Sequence, residues 1–418
     1  MYCGNCFRDN ALVSALRAEK HEVTMVPLYL PLNLDEENQA GDTPIFYNGV
    51  NVYLEQYSSL YRSSPRWLHN LVGSERILNW AASAVGKTRA EEVGNLTISM
   101  LQGEEGNQSR ELEELINWLK TQPKPDVISL SNCLLLGLAR RLKEAIGVPV
   151  VCLLQNEAPY IDSMPDNLRE QVWEIMIERA QEVDSFVAPS NFYAEQMRDK
   201  LNLQADRVRV IFNGINLEGY STDRAAPNPP VIGFFSRMCK DKGLDTLVDA
   251  FIKLKADDTI PQLRLKIGGG CGPSDEIFVQ RLRDRLHAKA LLGEVEFHPN
   301  LSRADKQTFL KSLSVLSVPA QFGEAFGFYV IEAMAAGVPV VQPRCASFPE
   351  LIAATDGGVV YEHRGSESLA TALKTMLHNP DKAKAAGLKA RKAVQESFSI
   401  EHMAREIIGM FDDLTPTN

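Results

Sequence analysis

The sequence has little of several features that mark other classes of protein. Across its 418 residues, no apolar run approaches the ~18 residues needed to span a bilayer. The first ten residues, MYCGNCFRDN, lack the apolar core of a signal peptide. Basic residues number 44 against 54 acidic ones, for a net charge of −10. The basic surface that a nucleic-acid-binding protein needs is therefore missing, and we expect no nucleic-acid partner.

Cysteine is also sparse and unpaired in number. The seven cysteines are an odd count scattered over a long chain, which favours reduced thiols and a cytoplasmic protein. Cys3 and Cys6 form a C-x-x-C, but no second pair or histidine stands at the spacing of a four-ligand zinc site. No thioredoxin-like context precedes them either. We interpret them as structural or incidental thiols, with a redox role as the alternative.

What is present is an ordinary globular composition, 44% hydrophobic and 23% charged, in a chain long enough for two domains. The first half alternates predicted strands with predicted helices, which indicates parallel β-α-β units in a doubly wound sheet. The predicted strands are 22–30, 51–57, 126–132, 149–155, 185–190 and 208–215. The predicted helices are 7–20, 107–122, 134–146, 165–183 and 191–202. Such a domain normally opens with a strand, and that first strand is expected to be missing here.

The second half repeats the pattern after a polar, proline-rich linker, STDRAAPNPP, at 221–230. Two amphipathic helices are predicted at 380–397 and 399–415. The predicted strands of this half are 231–237, 263–270, 295–301, 315–320 and 339–344. We therefore predict domains at 1–222 and 229–398, followed by a terminal helix at 399–418.

The most informative stretch is FGEAFGFYVIEAMAAGVPVV, residues 322–341, which contains two carboxylates, Glu324 and Glu332. The pattern predicts strand, loop, helix and strand, with the loop at the carboxyl end of a parallel strand, where open α/β sheets bind ligands. A helix N-terminus in this loop would attract a phosphate. The amides predicted there are those of Ala325, Phe326, Gly327 and Phe328. The alternative is a loop glutamate and an unrelated solvated glutamate on a helix.

This E-x7-E followed by AMAAGVPVV resembles the signature of the retaining glycosyltransferases of the GT-B fold, the family-four group. The resemblance implies two Rossmann-like doubly wound domains with a cleft between them. The first domain would be the acceptor side and the second would bind a nucleotide sugar. The terminal helix would pack back on the first domain. It also implies a UDP-, GDP- or ADP-linked sugar as donor.

Arg237 and Lys242 stand at a predicted strand end in FFSRMCKDKG, which resembles the R-x4-KG motif of that family. Two cations at this position suit a diphosphate, although a surface salt bridge is the alternative. By resemblance, both would neutralise the leaving diphosphate. Glu332 would bind the ribose hydroxyls, and Glu324 would lie by the donor sugar and its reacting face. The chain has no D-x-D, so no metal or other cofactor is implied. The family retains anomeric configuration, by front-face attack in which the leaving phosphate takes the acceptor proton.

Further candidate residues come from the turns at other strand ends. Gly268, Gly269 and Gly270 allow close backbone approach. His298 and Pro299 fall where relatives hold the base with loop backbone. On the acceptor side, the candidates are Gly4, Asn5, Gln155, Asn156 and Glu157.

The chain departs from the family pattern at two of these turns. Many relatives have a histidine where this chain has Gln155–Glu157. The glycine pair that often shapes the sugar pocket is replaced by residues 345–348, with Glu350 kept. Both departures bear on the identity of the sugar and its contacts.

Residues 58–100 are less regular, and 63–87 form a basic amphipathic segment. Such a segment can make a weak peripheral contact with a membrane. The alternative, which the mixed charge favours, is an insertion helix packed on the domain or framing the acceptor cleft.

Three functions remain open at this point. The first is a nucleotide-sugar-dependent retaining glycosyltransferase with an unidentified acceptor. The second is a same-fold sugar-nucleotide epimerase or phosphorylase, and the third is a non-catalytic nucleotide-sugar binder. The complete set of Arg237, Lys242, Glu324 and Glu332 favours the transferase.

Overall fold

A computed structural model describes residues 4–28, 36–47, 56, 90–220, 224–362 and 365–415. The chain divides into two compact units. The N-terminal unit comprises the chain up to Ile211 together with Ala404–Asn418, and the C-terminal unit comprises Phe212–Met403. Three features of the sequence analysis lie outside the described residues: the predicted strand 51–57 apart from Gln56, Cys3, and the basic segment 63–87.

The described part of the N-terminal unit has a parallel sheet of four strands in the order β1-β2-β3-β4. These strands are β1 Ile128–Leu130, β2 Val150–Leu153, β3 Ser185–Ala188 and β4 Val208–Val210. All residues of β2 and β3 are buried, as expected of strands covered by helices on both faces. The helices are α1 Gly4–Ala18, α2 Ala90–Gln102, α3 Ser109–Leu119, α4 Ala139–Ile146, α5 Glu157–Asp162, α6 Asp166–Ala180 and α7 Asn191–Leu201.

Two predictions for this unit need correction. The strand predicted at 22–30 is wrong over residues 22–28, which form no regular element. The helix predicted at 134–146 is instead a 3-10 helix, Cys133–Leu138, followed by α4. Close packing accompanies this change, because a Cβ on Gly137 would lie 2.2 Å from the carbonyl oxygen of Met100. The tighter 3-10 turn thus packs directly against α2.

The C-terminal unit has a parallel sheet of six described strands in the order β10-β9-β8-β5-β6-β7. These are β5 Val231–Phe235, β6 Arg264–Gly269, β7 Val295–Pro299, β8 Val315–Leu316, β9 Val340–Pro343 and β10 Gly358–Tyr361. The helices of this unit are α8 Leu244–Asp257, α9 Pro273–Ala288, α10 Arg303–Lys311, α11 Phe328–Ala335, α12 Phe348–Thr355, α13 Ser366–Leu377 and α14 Pro380–Ser397. The last helix, α15 Ile400–Leu414, begins in this unit and belongs to the N-terminal unit from Ala404 onward. The predicted fold class, α/β with two parallel-sheet domains, is confirmed.

The strand order reverses once within the described C-terminal sheet. From β5 the chain adds β6 and β7 on one side, then returns to add β8, β9 and β10 on the other. β5 therefore pairs with both β6 and β8. The point between the carboxyl ends of β5 and β8 is the topological switch point, where open α/β sheets form a ligand crevice. The edge strand β10 was not predicted from the sequence.

The chain ends in two helices close to the predicted ranges. α14 contacts the turn after α11, since a Cβ on Gly387 would meet the Gly337 carbonyl oxygen at 2.1 Å. Within the N-terminal unit, Asp413 of α15 forms an ion pair with Arg209 at 2.7 Å. The units divide at 211/212 and 403/404, whereas the sequence predicts boundaries at 222/229 and 398/399. Along the described helices, none is both long and apolar enough to cross a membrane.

Candidate active site

The candidate site is built from the loops that follow β5 to β9 in the C-terminal unit. Because the strands are parallel, these loops emerge at one edge of the sheet. Backbone hydrogen bonds join each loop to the next: Met238 N to Gly270 O at 2.7 Å, Asn300 N to Gly269 O at 2.8 Å, Gln321 N to Asp241 O at 2.9 Å and Ser347 N to Glu324 O at 3.3 Å. The predicted residues of this unit thus lie on a connected row of loops or on the strand ends and helix next to it.

Arg237, just after β5, is held by a carboxylate that the sequence analysis missed. Its Nε and Nη2 donate to Asp275 Oδ2 and Oδ1 at 3.0 and 2.9 Å. Asp275 is buried in the first turn of α9, where Oδ2 also accepts the Gly272 amide at 3.1 Å. Burial opposes its charged form, but the hydrogen bonds from Arg237 and Gly272 leave the pKa of Asp275 below its ordinary value. The guanidinium is therefore oriented while 59% of its side chain stays exposed.

Lys242 and Glu324 meet across the switch point. Lys242 ends the 3-10 helix Lys240–Lys242 after β5, and its ammonium pairs with Oε1 of Glu324, in the loop after β8. Gly243 makes this approach possible, because its φ is +71° and a Cβ there would lie 1.9 Å from the Pro319 carbonyl oxygen. The Lys242 side chain is 27% exposed and that of Glu324 only 10%. A predicted diphosphate cation and the predicted sugar-side acid are thus in direct contact.

Glu332, the fifth residue of α11, also has a cationic partner that was not predicted. Lys306 of α10 donates to its Oε1 at 2.6 Å, and both side chains are largely buried. Tyr220 lies nearby: burial, followed by the charge of Glu332, raises the pKa of its hydroxyl well above the ordinary value. The Glu332 carboxylate is therefore shielded from solvent and its charge is paired with that of Lys306, unlike a solvated surface glutamate.

Each of the four predicted charged residues is thus paired with an opposite charge inside the unit. The pairs are Arg237–Asp275, Lys242–Glu324 and Lys306–Glu332. The sequence carried a signal for Asp275, since an acid at the third position of a helix is placed to accept the amide of the N-cap residue, here Gly272. No local signal pointed to Lys306.

The glycine-rich turn ends β6 and packs against the loop after β5. A Cβ on Gly269, whose φ is +122°, would lie 2.0 Å from the Ser236 carbonyl oxygen. His298 and Pro299 end the neighbouring strand β7. The His298 ring lies 3.0 Å from Glu296 Oε2 and stacks edge-on against Phe309. Its described contacts are those of a packed strand residue, and backbone contact with a base stays a prediction.

The predicted anion-binding turn leads into α11, which begins at Phe328 with Gly327 as its N-cap at φ +89°. Ala325 and Phe326 precede the helix and are buried. The turn is packed on the following loop, where the Ser347 hydroxyl donates to the Phe326 carbonyl oxygen at 2.9 Å. That these amides bind an anion stays a prediction.

Cys345 and Ala346, from the 345–348 segment after β9, press on the same turn. A Cβ on Gly323 would lie 2.3 Å from the Ala346 Cβ and 2.9 Å from the Cys345 sulfur. Burial, then the charge of Glu324, raises the pKa of the Cys345 thiol. The thiol therefore lies near Glu324 as a neutral group.

Two acceptor-side candidates of the N-terminal unit, Gln155 and Glu157, make hydrogen bonds within the protein interior. Glu157 is buried, and its oxygens accept the Cys133 amide at 2.9 Å, the Gln155 amide at 2.8 Å and the Tyr193 hydroxyl at 2.9 Å. Gln155 is buried too and donates to the Ser131 carbonyl oxygen at 2.9 Å.

The remaining acceptor-side candidates lie at helix starts. Asn156 is the N-cap of α5. Gly4 and Asn5 open α1, and their side chains lie outside the described set. Contact of these five residues with a ligand stays a prediction.

Comparison with protein families assigns both halves of the chain. The model for glycosyl transferases group 1 matches residues 222–393, and the model for Glycosyltransferase Family 4 matches residues 91–218. The chain belongs to the family-four, group 1 glycosyltransferases. The predicted resemblance is therefore confirmed, and the Arg237, Lys242, Glu324 and Glu332 positions lie inside the group 1 match.

Two curated relatives are 25% and 28% identical to this chain over the matched regions. A D-inositol 3-phosphate glycosyltransferase of Rhodococcus opacus is 25% identical over 62% of the chain and 60% of the relative. An exopolysaccharide phosphotransferase of Streptomyces coelicolor is 28% identical over 60% of the chain and 25% of the relative. The match thus spans less than two thirds of the length of these curated relatives.

Solved structures confirm the GT-B fold. Anabaena HepE in complex with UDP has a TM-score of 0.65 at 17% identity, over 93% of this chain and all of that one (100%). Sucrose-phosphate synthase from Thermosynechococcus elongatus has a TM-score of 0.61 at 20% identity, over 73% of this chain and 78% of that one. At these identities the likeness concerns the fold.

Proposed function

We propose that the protein is a retaining glycosyltransferase that transfers a sugar from a nucleoside-diphosphate sugar to an acceptor hydroxyl without a metal on the diphosphate. Family membership supports the general activity. The single observation that carries the site assignment is the Lys242–Glu324 contact at the switch point. It brings a cation suited to a phosphate and an acid suited to sugar hydroxyls to one place.

The three ion pairs support a division of labour along an elongated donor. Glu332 would accept hydrogen bonds from the ribose hydroxyls, with Lys306 balancing its charge. Arg237 would meet the diphosphate with a guanidinium that Asp275 already orients. Lys242 would share its ammonium between Glu324 and the phosphate nearer the sugar.

The chemistry follows from where charge develops. As the sugar C1–O bond breaks, its electron pair goes to the leaving diphosphate, whose added negative charge Arg237 and Lys242 stabilise. The acceptor oxygen attacks C1 from the same face, and its proton passes to the leaving phosphate oxygen. The new bond therefore has the anomeric configuration of the old one. Glu324 would hold the sugar hydroxyls and orient the ring for this front-face attack.

Uracil is the first base to test, because the Anabaena protein binds UDP and UDP-glucose in its crystal structures. A thermal-shift screen with UDP, GDP and ADP ranks the bases, since a ligand that binds the folded state raises its stability. The name of the Rhodococcus relative supports D-inositol 3-phosphate as one acceptor in the panel.

The deciding experiment incubates the protein with UDP-glucose, GDP-mannose or ADP-glucose and the acceptor panel, with and without EDTA, and follows nucleoside-diphosphate release. We expect turnover of one donor that EDTA leaves unchanged, and an α-linked product by proton NMR. E324Q should lose about 100-fold or more in kcat, the size of effect seen when one electrostatic contact to a transition state is removed. E367Q is the matched control, because Glu367 is an exposed acid with a lysine partner in the same unit.

A non-catalytic nucleotide-sugar binder is the second candidate, favoured by the absence of the usual histidine at Gln155–Glu157. It predicts stabilisation by a nucleotide without turnover of any donor. A same-fold epimerase would convert the donor sugar without releasing the nucleoside diphosphate. Release of nucleoside diphosphate therefore identifies the transferase, and proton NMR of the donor sugar separates the epimerase from the binder.

A further inference from the structure

Glu324 has a second donor besides Lys242, and it comes from the first turn of the next helix. The Tyr329 hydroxyl donates to Glu324 Oε1 at 3.3 Å. That oxygen is also the one that Lys242 contacts. Within the described chain, no hydrogen bond to Oε2 is found. One carboxylate oxygen is therefore anchored on both sides, and the other is left for a ligand.

Tyr329 is built to remain a hydrogen-bond donor. The residue is only 8% exposed. Burial, then the charge of Glu324 and the hydrogen bond to it, raises the pKa of the phenol well above its ordinary value. The hydroxyl thus stays protonated across the working pH range. Its ring packs 6.3 Å from that of Phe348, which is fully buried, so the hydroxyl position is set by the core.

From these contacts, we propose that Tyr329 is a positioning residue for the transfer reaction, acting through Glu324. The inference rests on the proposed function. The phenol holds the Glu324 carboxylate in position when the Lys242 ammonium interacts with the donor diphosphate. During that step Tyr329 keeps its hydrogen bond to Glu324, because it has no competing role toward the phosphate.

The groups facing Glu324 come from three elements. Lys242 belongs to the turn after β5, Tyr329 to α11 and Cys345 to the loop after β9. Of these, Lys242 contributes an ammonium group and Cys345 a thiol whose pKa is raised by burial. The phenol is thus the one neutral oxygen donor among these three described groups.

The test compares Y329F, which removes one oxygen atom, with Y361F. Tyr361 is likewise buried in the same unit, but its hydroxyl has no hydrogen-bond partner among the described residues. It is therefore a matched control for loss of a buried phenol oxygen. Kinetics use UDP-glucose, or whichever donor of the panel the wild type turns over.

We expect Y329F to lower kcat about 3- to 10-fold, the range for losing one long hydrogen bond to a charged group. Its donor KM and melting temperature should stay near the wild-type values, and the acidic limb of kcat against pH should move to higher pH. Y361F should leave kcat and the pH profile unchanged. In an E324Q background, Y329F should have no further effect, because the residue acts through the carboxylate.

The possible failures are distinguishable. A wild type that turns over no donor overturns the proposed function and this inference with it. An active wild type whose Y329F variant keeps full kcat and the same pH profile overturns the inference alone. A Y329F variant that loses activity only in proportion to unfolded protein also overturns it, because that is the outcome of a purely structural role.

Discussion

Replacing Lys242 by methionine removes the cation of the Lys242–Glu324 pair and keeps most of the aliphatic volume of the side chain. Glu324, whose side chain is 10% exposed in the wild type, is then left with Tyr329 as its remaining described side-chain donor. Water reaches such a group poorly, so the lost charge partner is not fully replaced by solvation. The substitution should therefore cost stability as well as activity.

The expected size follows from the exposure of the two partners. Fully exposed pairs contribute about 0.2–1 kcal/mol, and removing one partner of a fully buried pair costs about 3–5 kcal/mol. With Lys242 at 27% exposure, this pair lies between those limits. We expect K242M to lower the free energy of unfolding by about 1–3 kcal/mol, or roughly 2–10 °C in melting temperature for a unit of this size.

The assay must follow the C-terminal unit itself. All four tryptophans, Trp67, Trp80, Trp118 and Trp173, precede residue 212, so tryptophan fluorescence reports on the N-terminal unit. Far-ultraviolet circular dichroism and calorimetry are therefore the appropriate measurements. K253M is the matched control, because Lys253 pairs with Glu367 at 46% and 77% exposure.

The double variant K242M/E324Q completes the cycle. Removing the stranded charge should recover much of the stability lost in K242M, which gives a coupling energy of about 1 kcal/mol or more. In the activity assay, K242M should lose about 100-fold in kcat, because one stabiliser of the leaving group is gone. A stability loss no larger than that of K253M, together with additive single effects, would refute the reasoning.

Three further predictions concern the same unit. The pKa of Asp275 is lowered in the folded state, so its contribution to stability is present above about pH 4 and is lost as the pH falls below that value. In urea unfolding between pH 3 and 6, the free energy of unfolding should therefore fall more steeply with decreasing pH for the wild type than for D275N. G243A should destabilise the protein by about 2 kcal/mol or more, from the positive φ and the clash with Pro319, whereas G409A, with open space in a helix, should be neutral or stabilising in the same calorimetry. E332Q should weaken binding of UDP about tenfold in titration calorimetry, from lost charge-assisted hydrogen bonds to ribose, and an unchanged dissociation constant would remove Glu332 from the nucleotide site.

The sequence by itself determined the fold class and most elements of the C-terminal unit. Predicted strands such as 231–237 and 263–270 contain β5 and β6, because runs this short that are flanked by glycine or proline are typical of strands rather than of helices. The E-x7-E stretch likewise identified the turn before α11. Weaker patterns were less reliable. The strand predicted at 22–30 does not form over residues 22–28, and the edge strand β10 was not predicted at all.

Only the tertiary structure decided which charges meet. Lys242 and Glu324 are 82 positions apart, Arg237 and Asp275 are 38 apart, and Lys306 and Glu332 are 26 apart. Their pairing depends on the order of the strands that carry them, which no local pattern encodes. The same holds for Glu157, which the sequence placed at a strand end but whose carboxylate accepts hydrogen bonds in the interior. Local sequence sets which residues reach the edge of a sheet, whereas packing sets which of them face a ligand.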